Sequence, residues 1–116
     1  MITFKRTRHT NPDGTKTYYQ SGPNVVISDT VTLGGNITIG EDVTILNGSR
    51  IDDDCTIGKN TCLGSNCHLF SGTHIGERVD VDGGSQIIGL IPADCHVPAN
   101  SIHFLDLGHD PRGYRI

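Results

Sequence analysis

The chain has 116 residues, of which 34% are apolar, with 15 Gly, no Trp and a net charge of −4. This length suits one domain, and the apolar share is below that of an ordinary layered globule. The negative charge argues against a nucleic-acid partner. Neither a secretory signal nor an apolar run of the ~18 residues that a membrane span needs is visible. We therefore expect a cytoplasmic protein whose four cysteines stay reduced.

Two strand-like segments, ITFKRTRHT and TKTYYQSG, flank the turn sequence NPDG near the N-terminus. Such a pattern predicts a β-hairpin over about residues 2–20, within an N-terminal cap of residues 1–24. The hairpin would cover an open strand edge, which otherwise invites aggregation. Its basic residues are interpreted as a solvated face or as a match to the acidic middle of a neighbouring subunit. These residues are Lys5, Arg6, Arg8 and Lys16.

A six-residue period begins at Val25 and defines a repeat region over residues 25–102. Two inward positions, two residues apart, lie on one side of a short strand. Gly, Asn and Asp follow at the corners, where positive φ is tolerated. Three sides close a coil of eighteen residues, so the pattern predicts a parallel β-prism of about four coils. The second inward position is Ile27, Leu33, Ile39, Ile45, Ile51, Ile57, Leu63, Leu69, Ile75, Val81 and Ile87.

Residues eighteen apart should stack on successive coils. The small inward positions then place Cys55 and Cys67 in the core as inert thiols, whereas Cys62 points outward and is the more reactive candidate. The predicted inward stacks are Ile27–Ile45–Leu63–Val81, Leu33–Ile51–Leu69–Ile87, Ile39–Ile57–Ile75, Val31–Ser49–Cys67–Ser85 and Ile37–Cys55–Thr73–Ile91. The predicted outward stacks that contain a histidine are Thr32–Arg50–His68–Gln86 and Thr38–Thr56–His74–Pro92.

The repeat resembles that of the hexapeptide-repeat acyltransferases, whose fold is a left-handed β-helix. The left hand is implied by this resemblance, because general crossover rules favour the right hand. The resemblance extends to the phrase Asp94 … VPANSI at residues 97–102, although the usual NPA phrase of the tail is replaced by HDPRG. It implies a homotrimer that transfers an acyl group from coenzyme A to a small sugar or amine. Arg112 and Arg115 in the tail, residues 103–116, would contact the coenzyme.

The same family uses a histidine as general base in a cleft between subunits, where its pKa and position allow proton transfer. The resemblance makes His68 and His74 the catalytic candidates, ahead of three histidines nearer the C-terminus. Phe70 and Ile88 are outward apolar residues beside His68, and such a stripe is typical of a subunit contact. The three weaker candidates are His96, His103 and His109.

Two alternatives stay open. A zinc site like that of γ-class carbonic anhydrases is suggested by the fold and by Arg50-Ile51-Asp52, but the His68–His74 spacing of six departs from the family's five, and we expect no metal. The other alternative is a non-catalytic trimeric module for structure or docking, because a short, uninterrupted repeat leaves little room for two substrates.

Overall fold

The structure, a computed structural model, describes residues 3–105, with side chains described as far as His103. In this range the chain forms β-strands joined by tight corners. None of its described segments forms a helix long and apolar enough to cross a bilayer. The strands are β1 Lys5–Thr10, β2 Lys16–Ser21, β3 Val26–Ile27, β4 Thr32–Leu33, β5 Ile37–Ile39, β6 Thr44–Ile45, β7 Arg50–Ile51, β8 Thr56–Ile57, β9 Cys62–Leu63, β10 His68–Leu69, β11 His74–Ile75, β12 Asp80–Val81, β13 Gln86–Ile91, β14 His96–Val97 and β15 Ile102–Leu105.

The short strands stack into three parallel ladders, which we name the first, second and third faces. The first face consists of β2, β5, β8, β11 and the end of β13; the second of β3, β6, β9, β12 and β14; the third of β4, β7, β10, the start of β13 and β15. The all-β class and the parallel β-helix are confirmed, and the winding matches the left-handed form. Each face carries five rungs, so the helix has about five coils rather than the four expected from the sequence.

The N-terminal hairpin accounts for one of the extra rungs. β1 and β2 pair antiparallel with Lys5 opposite Ser21, and Gly14 at φ 91° forms the turn between them. β2 also pairs in parallel with β5, with Tyr19 opposite Ile37. The predicted hairpin is therefore present, and its second strand is itself the first rung of the first face.

The hairpin also covers the open edge of the third face. The Asn11 side chain donates from Nδ2 to the carbonyl of Leu33 (3.1 Å) and accepts from the Leu33 amide (2.9 Å). Thr17 donates from Oγ1 to the carbonyl of Gly34 at 2.8 Å. Because these backbone groups have no further rung to pair with, the side chains satisfy polar groups that would otherwise remain unpaired at the strand edge.

The inside of the prism is a continuous stack of aliphatic side chains. The three predicted stacks of large residues are confirmed, since Leu33 pairs with Ile51, Ile51 with Leu69 and Leu69 with Ile87 on the third face. The other two faces repeat this arrangement. Nearly all of these side chains are buried, so the thin core extends along the prism rather than gathering at one point.

The corners recur every six residues in the left-handed backbone region. Asn and Asp occupy most of them because their short polar side chains tolerate positive φ better than other non-glycine residues. Gly48, Gly72 and Gly84 occupy three further corners, and Arg78, at φ 56°, is the one such residue of another type in the described chain; its guanidinium pairs with Asp94 and Glu77. The predicted role of Asn and Asp at the corners is confirmed at Asn24, Asn36, Asp42, Asp54, Asn60, Asn66, Asp94 and Asn100.

The last coil is two residues shorter than the others, which the strict repeat did not predict. β13 passes from the third to the first face without the usual corner, bending at Gly89 with φ 101°. Leu90 therefore lies opposite His74, and Ile91 lies opposite Ile75. The predicted placements of Pro92 over His74 and of Ile91 over Thr73 are wrong for this reason.

Consecutive coils approach so closely at some glycines that one added methyl group should lower the stability of the fold. A Cβ on Gly58 would lie 2.5 Å from the backbone carbon of Gly76, whereas a Cβ on Gly35 would meet nothing closer than 3.9 Å. We expect Gly58→Ala to lower the free energy of unfolding by about 1–3 kcal/mol because the backbones must separate. Gly35→Ala, the matched control, should change it by less than about 0.5 kcal/mol. Urea denaturation of both variants checks this, and equal midpoints would contradict the packing described.

Candidate functional site

A histidine–carboxylate pair lies on the outer surface of the third face. His68 opens β10 and lies opposite Arg50 of β7, while Asp52 directly follows β7. Asp52 is therefore diagonal to His68, within reach of its side chain. The imidazole Nε2 lies 2.9 Å from Asp52 Oδ2, and Arg50 donates from Nε to Asp52 Oδ1 at 3.0 Å. Both oxygens of the carboxylate are thus engaged.

This pairing fixes which nitrogen of His68 can act as a base. A carboxylate only accepts hydrogen bonds, so the neutral imidazole carries its proton on Nε2 and keeps a lone pair on Nδ1. Phe70 restrains the ring from its flat side, since the two ring centroids are 3.9 Å apart with an interplanar angle of 24°. The histidine side chain remains 29% exposed, so the ring is partly open to solvent.

The neighbours of Asp52 favour the ionised form of its carboxyl group. Partial burial acts to raise the pKa of this carboxyl, but the hydrogen bonds from His68 and Arg50, together with their charges, outweigh it and leave the pKa below its ordinary value of 3.8. Asp52 is therefore ionised at neutral pH. An ionised partner stabilises the imidazolium that forms when the ring takes up a proton.

A polar groove of about 330 Å³ adjoins Asp52 and Arg50. Its side chains offer hydroxyl and carboxylate groups, which suit a ligand that carries hydroxyl or amino groups. One carboxylate oxygen of Asp53 is already engaged, because Oδ1 accepts a hydrogen bond from the Gly35 amide at 2.8 Å. The groove is lined by Thr32, Leu33, Gly34, Arg50, Ile51, Asp52, Asp53 and Ser71.

The other predicted histidines lie elsewhere. His74 is exposed on the first face and does not share a site with His68 of the same chain. His96 pairs with Asp82 on the second face, with 3.0 Å between Nε2 and Oδ2. His103 is buried, and burial lowers its pKa. The expected coenzyme contacts Arg112 and Arg115, and the candidate base His109, lie outside the described residues.

An exposed apolar stripe runs along the third face beside His68. Phe70 is half-buried, Ile88 is 36% exposed and Ile102 is 48% exposed. Ile102 joins the stripe because the shortened coil places it opposite Gln86 on the neighbouring rung. The sequence analysis missed Ile102 for this reason, and it also missed Asp52 as the partner of His68. The diagonal relation of Asp52 to position 68 was the signal that could have identified it.

The cysteines do not form a nucleophilic site. Cys55 and Cys67 are buried, as expected, and burial raises the pKa of Cys55 to about 11 and raises that of Cys67. Cys62 is half-buried, and burial, followed by the charges of Asp80 and Asp82, raises its pKa as well. A raised pKa disfavours the thiolate, so Cys62 lacks the activation of a reactive thiol.

The fold and surface define a capped hexapeptide-repeat β-helix that carries a histidine–carboxylate pair beside a polar groove. No protein-family model matches the chain, and no curated protein matches it. Among solved structures, the chain is similar to a serine acetyltransferase of Neisseria gonorrhoeae in complex with serine, with 18% identity and a TM-score of 0.31. That match covers 78% of this chain and 38% of the other, so this chain spans well under half the length of that enzyme. A similarity this low does not assign the activity or the substrate of that enzyme to this chain.

The network around Asp52 predicts a titration that can be measured directly. We expect Asp52 to titrate below 3.8, and His68→Gln to move its midpoint upward because a charged hydrogen-bond donor is lost. A carboxyl group with a lowered folded-state pKa stabilises the fold above its unfolded pKa, and this contribution disappears as pH falls through the folded value. Carboxyl carbon NMR against pH checks this. Asp29, which is exposed on another corner, serves as the control; an Asp52 midpoint that His68→Gln leaves unchanged would contradict the pairing.

Proposed function

We propose that the protein transfers an acyl group from acyl-coenzyme A to a small sugar or amine, with His68 as general base. The observation that carries this proposal is the ordered set Arg50–Asp52–His68, in which a carboxylate orients one imidazole nitrogen and leaves the other free. Such a set is what base catalysis on a hydroxyl or amine requires. We infer that the acceptor binds in the polar groove lined by Arg50 and Asp52, from which it would reach His68 beside Asp52.

In the proposed reaction, His68 Nδ1 takes the proton from the acceptor's hydroxyl or amine group. The oxygen or nitrogen atom that held this proton attacks the acyl carbon at the same time. Asp52 holds the ring and offsets the positive charge of the imidazolium until the proton passes to the leaving group. Acyl-coenzyme A, when bound, supplies the acyl group as a thioester. The imidazole thus moves one proton and is regenerated in each turnover.

The donor nucleotide requires basic residues that are not already paired with carboxylates. Arg50 is paired with Asp52, and Arg78 is paired with Asp94 and Glu77, so these two cations are already engaged. Arg112 and Arg115 are the residues that we propose would meet the phosphates. Guanidinium groups suit this role because they bind phosphate oxygens in pairs.

The proposal includes a homotrimer built through the third face. Phe70, Ile88 and Ile102 would be buried by neighbouring copies, and their contact would place His68 in a cleft between subunits. His74, on the first face, could then meet His68 only from a neighbouring chain. A cytoplasmic location is part of the same proposal, and the four unpaired cysteines fit it.

A non-catalytic docking module is the second candidate. It is favoured by the short connections between rungs, because across residues 25–101 the structure shows tight corners, one bend within β13 and no inserted loop to enclose an acceptor. In this case the third face would serve assembly alone, and His68–Asp52 would be a surface pair of little energetic value.

Activity and donor binding separate the two candidates. We expect acetyl-coenzyme A to raise the melting temperature of the full chain. In an assay against a panel of small sugars and amines, His68→Ala should lower the rate of acyl transfer roughly 10²–10⁴-fold. Thr44→Ala, outward on the second face, should keep the full rate, and His74→Gln tests the other candidate base. Absence of both a thermal shift and acyl transfer would favour the docking module, and full activity in His68→Ala would remove His68 as the base.

The assembly is tested with charged substitutions in the stripe. Phe70→Glu and Ile88→Glu should each convert the trimer to smaller species, because a carboxylate would be buried without a partner. Val26→Glu is the matched control, since Val26 is 61% exposed on the second face. Light scattering coupled to size exclusion measures the mass of all three. An unchanged mass for both stripe variants would contradict the proposed interface.

A further inference from the structure

A second cluster of polar side chains lies on the second face, away from His68. Asp80 opens β12, Asp82 directly follows it, and His96 opens β14 opposite Asp80. One potential ligand atom from each of the three side chains lies within 4.8 Å of the others. His96 Nε2 and Asp82 Oδ2 are already 3.0 Å apart. Two carboxylates and an imidazole thus converge on one point of the surface.

The shortened last coil creates this cluster. An uninterrupted eighteen-residue winding would place Pro98 opposite Asp80, but the coil that bends at Gly89 places His96 there instead, sixteen residues on. The backbone holds the three residues firmly, because the Asp80 amide donates to the Cys95 carbonyl at 3.0 Å and the Asp82 amide to the Val97 carbonyl at 2.9 Å. Asp80 and His96 therefore lie on paired strands, and Asp82 directly after β12 is held by its own backbone hydrogen bond.

The charge of the cluster is left unbalanced by the part of the chain that the structure describes. Within residues 3–105, His96 is the only ion-pair partner of Asp82, and neither carboxylate pairs with a Lys or Arg. The nearest arginine in sequence, Arg78, has its guanidinium engaged by Asp94 and Glu77. Two negative charges beside one imidazole favour the binding of a cation.

We propose that Asp80, Asp82 and His96 bind one divalent transition-metal ion of the zinc type. An imidazole nitrogen suits Zn²⁺ better than Ca²⁺ or Mg²⁺, which prefer oxygen ligands alone. Ligands about 2.1 Å from a tetrahedral zinc lie roughly 3.4 Å from one another, and the three ligand atoms, all within 4.8 Å of one another, already approach that spacing. Three protein ligands leave the fourth position to water or to a solute.

This site is independent of the proposed acyl transfer, because its residues lie on the second face and His68 lies on the third. Cys62 is the nearest soft ligand, opposite Asp80 on the preceding rung, but its sulfur is not among the converging atoms. The site therefore uses the two carboxylates and the imidazole alone. Asp82 and His96 are 45% and 58% exposed, so an ion can enter from solvent.

The test is a calorimetric titration of the full chain with Zn²⁺ after treatment with a chelator. We expect one ion per chain in the unmodified protein. Asp80→Asn and His96→Gln should each weaken binding by at least the ~10-fold that loss of an outer-shell partner costs. Three controls should retain it: Cys62→Ser beside the cluster, His74→Gln for an exposed imidazole, and Asp29→Asn for an exposed carboxylate. Circular dichroism confirms that each variant is folded.

The outcomes decide the proposal without reference to activity. Loss of binding in Asp80→Asn and His96→Gln, with retention in the three controls, supports the site. Absence of binding by the unmodified chain overturns it, as does equal affinity in His96→Gln. A loss in Cys62→Ser would overturn the stated ligand set, and a loss in His74→Gln would place the ion at a different histidine.

Discussion

The structure depends on one constraint, which is that each inward aliphatic side chain must lie on the one a full coil before it. No single coil can bury its apolar side, so every rung is stabilised by its neighbours and by the backbone hydrogen bonds between them. Leu33, Ile51, Leu69 and Ile87 show the rule most clearly, since all four are buried in consecutive register. The hairpin ends this stack on one side by giving the last open backbone groups a partner in Asn11.

The chemistry on the surface follows from that inner register. With inward positions fixed, the residues between and beyond them must point outward, and positions on adjacent rungs become neighbours although they are far apart in sequence. His68 meets Asp52 in this way, over a separation of 16 residues, and the Phe70 ring lies against the imidazole because it is the next outward position of its own rung. The rigid ladder thus orients an imidazole without a loop or a helix.

Most of the fold could be predicted from the sequence because the six-residue period is exact over eleven repeats. The shortening of the last coil could not be predicted in this way. The strict period breaks at Gly89, where the step from one large inward residue, Ile87, to the next, Ile91, is four positions rather than six, and nothing in the aliphatic pattern marks this before Ile91. That difference moved His96 opposite Asp80 and Ile102 into the apolar stripe. His68 was identified from its outward position, but Asp52 was not assigned as its partner, because a diagonal contact depends on rotamers that the period does not specify.

Cross-strand nuclear Overhauser contacts test the central claim most directly, since they report register in solution. The account predicts contacts between the amide of His68 and the rung that holds Ser85, and between the amide of Asp80 and the Cys95–His96 segment, where the amide donors and carbonyl acceptors are 2.9 and 3.0 Å apart. The His68 contact reports the eighteen-residue winding, and the Asp80 contact reports the last coil, which is two residues shorter. A contact between Asp80 and Pro98 in place of His96 would contradict the shortened coil, and loss of the His68 contact would contradict the winding itself.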